Sequence, residues 1–126
     1  MPTANAQAPI VRSDTLKDGK ANFLPLIKKV ALANDVPEET IKYILQHESE
    51  YTVEIYGDHG LAYGPAQFHE EAFNRMKKNA MKGGKPFYYL KYKNPSDQVT
   101  LLGWALKNGY GPEWTTYRMY KHVLNT

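Results

Sequence analysis

Residues 41–68 read IKYILQHESEYTVEIYGDHGLAYGPAQF, and the change of pattern inside this stretch decides the fold. Ile41, Ile44 and Leu45 fall at helical spacing, and Glu48, four residues beyond Ile44 and seven beyond Ile41, continues the same stripe. A carboxylate stands where an apolar residue belongs. Burial against a core disfavours its ionised form, and so does the negative end of the helix macrodipole if the helix stops near Ser49. A carboxylic acid that keeps its proton near neutral pH is what general acid catalysis requires. An unselected glutamate here is more often a solvated residue at a fraying helix end, and the segment that follows is what favours the catalytic reading.

From Tyr51 to Gly64 the helical period is lost. Thr52, Val53, Ile55 and Tyr56 favour extended structure and Gly57, Gly60 and Gly64 punctuate it, which predicts an irregular loop or a short hairpin. Pro65 to about Asn79 returns to helix with Ala66, Phe68, Ala72, Phe73 and Met76 facing inward, and Gly83, Gly84 and Pro86 end it. Lys77, Lys78, Lys82 and Lys85 with Tyr88, Tyr89 and Tyr92 form a basic, aromatic connector.

Upstream, Lys20 to Asn34 carries Phe23, Leu24, Ile27, Val30 and Ala31 on one side, with Pro25 tolerated in its first turn. Asp35 as N-cap, Pro37 and Glu38 start the helix that carries Glu48. Downstream, Asn94 and Pro95 begin a helix to about Lys107 that packs through Val99, Leu102, Trp104 and Leu106. Pro112 opens a last helix whose inner face is Trp114, Tyr117, Met119, Tyr120, Val123 and Leu124. The expected fold is mainly α: five helices around one core, with an insertion after the second. Residues 20–126 form that domain, and residues 1–19, with small and polar residues and two prolines, read as a flexible arm.

A chain of 126 residues supports a single core. Its 42% hydrophobic and 23% charged residues are ordinary globular values, whereas ten tyrosines are many, and tyrosine suits both sugar rings and nucleobases. A net charge of +3 favours an anionic partner: cell wall, nucleic acid or lipid headgroups. The absence of cysteine removes disulfides and thiolate metal sites. No apolar run reaches the ~20 residues of a membrane span, so no transmembrane segment is expected. The opening MPTANAQAPIVRSD lacks the basic start and apolar stretch of a signal peptide, yet Ala4, Ala6 and Ala8 repeat at the spacing that precedes a cleavage site, as in a chain whose leader has been trimmed.

Glu48 and Ser49, then a loop, then Gly60, Leu61, Ala62, Tyr63, Gly64, Pro65, Ala66 and Gln67 resemble the catalytic segment of the soluble lytic transglycosylase domain, glycoside hydrolase family 23, of the lysozyme-like superfamily. That family joins a Glu-Ser pair at a helix end to a Gly-x-x-Gln tetrad opening the next helix. Gln67 lies 19 residues after Glu48, one more than the family spacing. The motif pair is short, and the helical order around it extends the likeness over most of Ala21 to Asn125. The resemblance implies a small lysozyme-like (α+β) domain with a glycine-rich loop or short hairpin after the catalytic helix. It also implies a muramidase of peptidoglycan glycan strands that works without a cofactor, as a monomer, in the periplasm, outside the cell or as a phage endolysin. One feature is missing: the Ala-Tyr-Asn triplet whose tyrosine supports the glutamate. The segment Trp104 to Pro112 falls in that region, and Tyr110 or Tyr117 is expected to supply the hydroxyl.

Cleavage of a β-1,4 glycosidic bond needs a proton on the leaving oxygen, and Glu48 is the candidate donor. In a lytic transglycosylase, by resemblance, the same group then draws the proton from the C6 hydroxyl of the muramic sugar, which closes as a 1,6-anhydro product with no second carboxylate. A hydrolytic lysozyme needs one, and Asp58 is the candidate; with Gly57 and His59 it reads equally well as turn chemistry. Ser49 is expected to bond the glutamate or cap the helix end, and Gln67 to hold a substrate amide or hydroxyl. Gly60 is expected to admit a sugar close to the backbone or to serve a turn, and Tyr63 to stack on a sugar or to be buried. Two rivals are weighed. His47, Glu48, His59 and His69 suggest metal, but Tyr51 stands where the second histidine of H-E-x-x-H should be, so no metal is expected. The basic aromatic connector suggests a nucleic-acid binding module but leaves Glu48 and the tetrad without a purpose, so nucleic acid is not the expected partner.

Overall fold

A computed structural model of the chain describes residues 16–125. Residues 1–15 of the expected arm, with Ala4, Ala6 and Ala8, lie outside the described residues. The arm's last residues are fixed rather than flexible. Leu16 is buried in the core, Asp18 Oδ1 accepts the Val53 N–H at 2.8 Å, and the Gly19 N–H donates to the Tyr51 carbonyl at 2.8 Å. An apolar anchor and two hydrogen bonds thus bind this segment to the loop beyond Glu48.

Helix α1 (Lys20–Asn34) buries Phe23, Ile27, Val30 and Ala31. Pro25 stands beyond its first turn, and the carbonyl it deprives of a donor belongs to Ala21, which is exposed to water. Asp35 does not cap the next helix. It ends α1 in the left-handed region (φ 54°), its N–H bonding the Ala31 and Leu32 carbonyls, and Pro37 takes the N-cap of α2 (Glu38–Ser49).

The insertion after α2 is a small antiparallel sheet of three strands, in the order β1 (Tyr56–Gly57), β2 (Ala62–Tyr63), β3 (Phe68–His69), with Tyr56 opposite Tyr63 and Tyr63 opposite Phe68. The helix expected from Pro65 therefore starts later, as α3 (Glu70–Lys82). Gly64 at φ 88° and Gln67 at φ 51° have left-handed backbones that a helix cannot contain, and the Gln67 N–H closes a turn on the Gly64 carbonyl at 3.0 Å.

Helix α4 (Pro95–Lys107) runs through the middle of the molecule. Asn94 caps it by accepting the Asp97 N–H at 3.0 Å, and residues 96–99 and 101–105 are buried, so its central turns meet protein on nearly every side. Gly103 allows α1 to approach, since a Cβ there would sit 2.1 Å from Val30 Cγ1. Helix α5 (Thr115–Leu124) follows a 3₁₀ turn at Gly111–Glu113. Its expected inner face is only partly correct. It lies on α2 through the row Thr116 and Tyr120, whose ring is 4.8 Å from that of Tyr43, and Met119, Val123 and Leu124 on adjoining rows are exposed. The described residues thus form a mainly helical α+β domain of five helices and one small sheet. None of these helices is long and apolar enough to cross a membrane.

The sheet is pinned to α4 by Gln98, which is fully buried. Its Oε1 accepts the Ala66 N–H at 3.2 Å, and its Nε2 donates to the Tyr63 carbonyl at 2.8 Å and the Tyr92 carbonyl at 2.9 Å. Gly64 must be glycine on two counts, its φ of 88° and the Gln98 amide 2.5 Å from where a Cβ would stand. Gln98→Leu keeps the volume but removes the partner of one buried donor, the Ala66 N–H, and of two carbonyls, one buried (Tyr63) and one part-buried (Tyr92). A loss of about 3 kcal/mol is expected, read from the midpoint of urea unfolding at unchanged slope; a loss below about 0.5 kcal/mol, typical of surface changes, would show that the clamp is dispensable.

Candidate active site

Glu48 occupies the last turn of α2, held there because the helix cannot continue past Ser49. Glu50 and Tyr51 adopt left-handed φ values of 51° and 59° in succession, an unfavourable conformation for two side-chain-bearing residues. Tyr51 is anchored against that strain. Its ring meets Phe23 edge-on at 5.4 Å, its Oη donates to the Lys42 carbonyl at 3.1 Å, and its carbonyl accepts from Gly19.

The Glu48 carboxyl is half-buried and Oε2 accepts a hydrogen bond from Thr116 Oγ1 at the start of α5. Burial pushes its pKa above the ordinary 4.5, more strongly than the Thr116 bond and the neighbouring His47 charge pull it down. The remaining exposed part of the side chain gives the access that a proton donor needs. His47 stacks on Tyr43 with ring centres 4.1 Å apart and its Nδ1 lies 2.9 Å from the Tyr43 carbonyl, so the imidazole points along the helix.

Segment 114–116 joins the two halves of the sequence motif. Trp114 Nε1 donates to the Ala66 carbonyl at 2.9 Å, inside the Gly64–Gln67 turn, and two residues later Thr116 holds Glu48. The hydroxyl expected from Tyr110 or Tyr117 comes from Thr116 instead. Tyr110 stacks on Trp104 at 5.4 Å and accepts from Asn79 Nδ2 at 2.9 Å; the Tyr117 ring covers Gly111, where a Cβ would sit 2.7 Å from it. Thr116 was legible only indirectly, as the residue one helical turn before Tyr120 on the predicted inner face.

The other predicted residues are built into the frame. Ser49 is buried and its Oγ donates to the Leu45 carbonyl at 3.2 Å, within the helix end rather than to Glu48. Gln67 Nε2 donates to the Ile55 carbonyl at 3.1 Å and the Gly64 carbonyl at 3.0 Å, so its amide nitrogen clips the sheet together instead of waiting for substrate. Gly57 leaves room for that amide, since a Cβ there would stand 2.0 Å from Gln67 Oε1 and the side chain would have to move. Tyr63 is buried, its ring 4.8 Å from that of Tyr56 and its face under Lys93 Nζ at 4.5 Å, which excludes it as an open sugar platform. Gly60 serves a turn: its φ is 90°, and a Cβ there would meet nothing within 4 Å. Asp58 is exposed, and its Oδ2 lies 2.8 Å from His69 Nε2.

Two surface concavities flank the sheet. One of about 250 Å³ is lined by Gln67, Arg75, Glu113 and Trp114, where Arg75 bridges Glu71 on its own helix and Glu113 before α5. The other, of about 350 Å³, includes Tyr56, Leu61, Glu70 and Lys93; Glu48 lines neither. Among the described residues no group of three or more His, Cys, Asp or Glu is arranged to hold a metal ion. Comparison with protein-family models, with curated proteins and with solved structures finds no match for this chain.

Because burial raises the Glu48 pKa in the folded protein, the folded state holds this proton better than the unfolded chain. The associated stability is complete below the unfolded value and is lost as pH rises through the folded one. Glu48→Gln should therefore unfold at higher denaturant than the parent at pH 7, the gap closing below about pH 4. Thr116→Val removes the bond that favours the charged form, so the Glu48 carboxyl should titrate higher still when followed by carbon NMR; a downward shift would contradict the assigned role.

Proposed function

We propose that the chain is a small muramidase of lysozyme-like fold that cleaves the β-1,4 bond between N-acetylmuramic acid and N-acetylglucosamine, as a lytic transglycosylase. The observation that carries this reading is the Glu48 carboxyl: half-buried, biased toward its protonated form, and oriented by Thr116 at a helix end closed by two left-handed residues. The antiparallel sheet that follows the glutamate helix and the contact of the Gly64–Gln67 turn with α5 through Trp114 are in keeping with it.

In this mechanism Glu48 protonates the glycosidic oxygen as the anomeric carbon gains oxocarbenium character. The carboxylate so formed, with Thr116 donating to one oxygen, takes the C6 hydroxyl proton, and O6 closes on the anomeric carbon. The glutamic acid is regenerated, and atoms balance without water. Thr116 serves both steps: a donor to Oε2 leaves Oε1 to carry the transferred proton and supports the anion between the steps. The substrate is the glycan strand, and the place of action is wherever the wall is met: periplasm, outer surface, or a phage-delivered enzyme. No cofactor takes part.

The hydrolytic alternative assigns Asp58 as the group that handles water. Its tie to His69 favours the cyclising route, since a carboxylate already engaged by an imidazole is a poorer base for water. The nucleic-acid reading is weakened at its own patch, where Lys77 Nζ donates to the Leu90 carbonyl at 2.8 Å and so stays at the protein surface.

A suspension of purified peptidoglycan should lose turbidity with the parent protein and not with Glu48→Gln, with a loss of about a hundredfold or more in rate. Mass spectrometry of the released muropeptides should show 1,6-anhydro ends, lighter by one water than hydrolytic products. Asp58→Asn should keep the rate within about threefold, as a surface change would; reducing ends together with an inactive Asp58→Asn would replace the transglycosylase by a lysozyme.

A further inference from the structure

The concavity of about 350 Å³ beside the sheet combines features that the glycan-cleaving chemistry does not use. At its edge Tyr56 and Leu61 are 60% and 63% exposed, an apolar pair that a folded surface does not need. Lys93 is fixed in position: its Nζ donates to Tyr56 Oη at 2.7 Å and lies over the Tyr56 and Tyr63 rings at 5.0 and 4.5 Å. Hydroxyl and ring faces hold that ammonium, and no carboxylate among the described residues pairs with it. Glu70 faces the same concavity from the start of α3 and has no ion pair among the described residues, whereas its neighbour Glu71 is bound to Arg75. The two walls are tied to each other, since Tyr92 Oη donates to the Phe68 carbonyl at 2.7 Å, placing the Lys93 loop against β3, which leads directly into Glu70.

A positioned cation and a carboxylate without an ion pair among the described residues, on joined walls of one aromatic-lined concavity, define the ligand by complementarity. An uncharged N-acetyl sugar gives neither charge a partner. A phosphate polymer gives Glu70 no partner and is repelled by it. A short peptide carrying both a free ammonium and a free carboxylate satisfies both charges and covers Tyr56 and Leu61 with its aliphatic stem.

We infer that this groove binds the zwitterionic stem peptide attached to the muramic sugar, through Glu70 to its side-chain ammonium and Lys93 to its carboxylate. The identification of the peptide as a wall stem rests on the proposed muramidase function; the charge complementarity does not. Such a subsite would make the protein prefer strands that still carry peptides with a free amine over stripped or amidated ones.

The probe is the synthetic peptide N-acetyl-L-alanyl-γ-D-glutamyl-L-lysine, whose only ammonium is the lysine ε-amine, titrated into the full chain and followed by NMR and calorimetry. Shifts should centre on Tyr56, Leu61, Glu70 and Lys93. Glu70→Gln, Lys93→Gln and acetylation of the peptide ε-amine should each weaken binding about two- to fivefold, the effect of one exposed charge pair, and a chitotetraose control should not compete. Equal binding of the acetylated peptide, unchanged affinity in both variants, or no binding by the parent overturns the inference. Glu48→Gln should bind the peptide as the parent does. Clearing of peptidoglycan without peptide binding sinks the subsite alone, and peptide binding without clearing sinks the muramidase alone.

Discussion

The buried amide of Gln98 is the constraint on which the arrangement depends. A sheet with strands of two residues cannot stand by itself, because such short ladders supply few hydrogen bonds and almost no apolar face. Here one side chain from the central helix satisfies an N–H in the Gly64–Gln67 turn, a carbonyl in β2 and a carbonyl in the loop before α4. A buried amide is costly unless every group is paired, and pairing it this fully makes the position unique. Gly64 and Gln98 form a reciprocal pair, the absent side chain of one making room for the amide of the other. With the turn fixed, the Ala66 carbonyl is presented to Trp114, and the start of α5 is set where Thr116 reaches Glu48.

The same chain of contacts explains how a carboxyl is kept at a place that does not favour its charge. Half-burial works against the anion, and Thr116 offsets part of that cost without abolishing it. The helix end is also strained, with Glu50 and Tyr51 both left-handed, and a second such pair, Asp58 and His59, follows in the loop between β1 and β2. Strain of this kind persists only where the surroundings over-determine it. Phe23, the Lys42 carbonyl and the Gly19 N–H do so for Tyr51, and His69 does so for Asp58. Stability is thus given up locally at Glu48, where burial opposes the charged form, and recovered in the packed contacts around α4.

The helices were legible in the sequence because their signals are local. The Phe23, Ile27, Val30 stripe and the Asn94-Pro95 start need only helical spacing and capping chemistry, and the structure has both. Glu48 was legible for the same reason, as a polar break in an apolar stripe. What local reading missed depends on partners distant in the chain. Pro65 to His69 looks helical by composition, and partners far away in the chain, Gln98 and Trp114 on Ala66 and Tyr92 on Phe68, hold it as turn and strand. Thr116 looks like an ordinary first-turn threonine until α5 is laid along α2. Gln67 fits the resemblance motif, yet its side chain clips β1's approach at Ile55, a role that spacing alone does not separate from substrate binding. Hydrophobicity alone puts Met119, Val123 and Leu124 inside, but inner faces are set by which row meets a neighbour, and α2 meets Thr116 and Tyr120.

The division between clipped and exposed groups bears on how the molecule would meet an extended substrate. Gln67 and the Tyr63 backbone are committed to the sheet and Ser49 to the end of α2, so none of the three is free to reorganise without losing a hydrogen bond of the frame. Groups left to contact a partner are those at the margins: the outer edge of Glu48, the ring of Tyr56, Leu61, and the charges of Glu70 and Lys93. A rigid floor with adaptable rims favours binding in which the protein moves little and the ligand supplies the ordering entropy. For the stiff glycan strand of the proposed function that entropy would be small, so little rearrangement of the described residues would be needed to bind it.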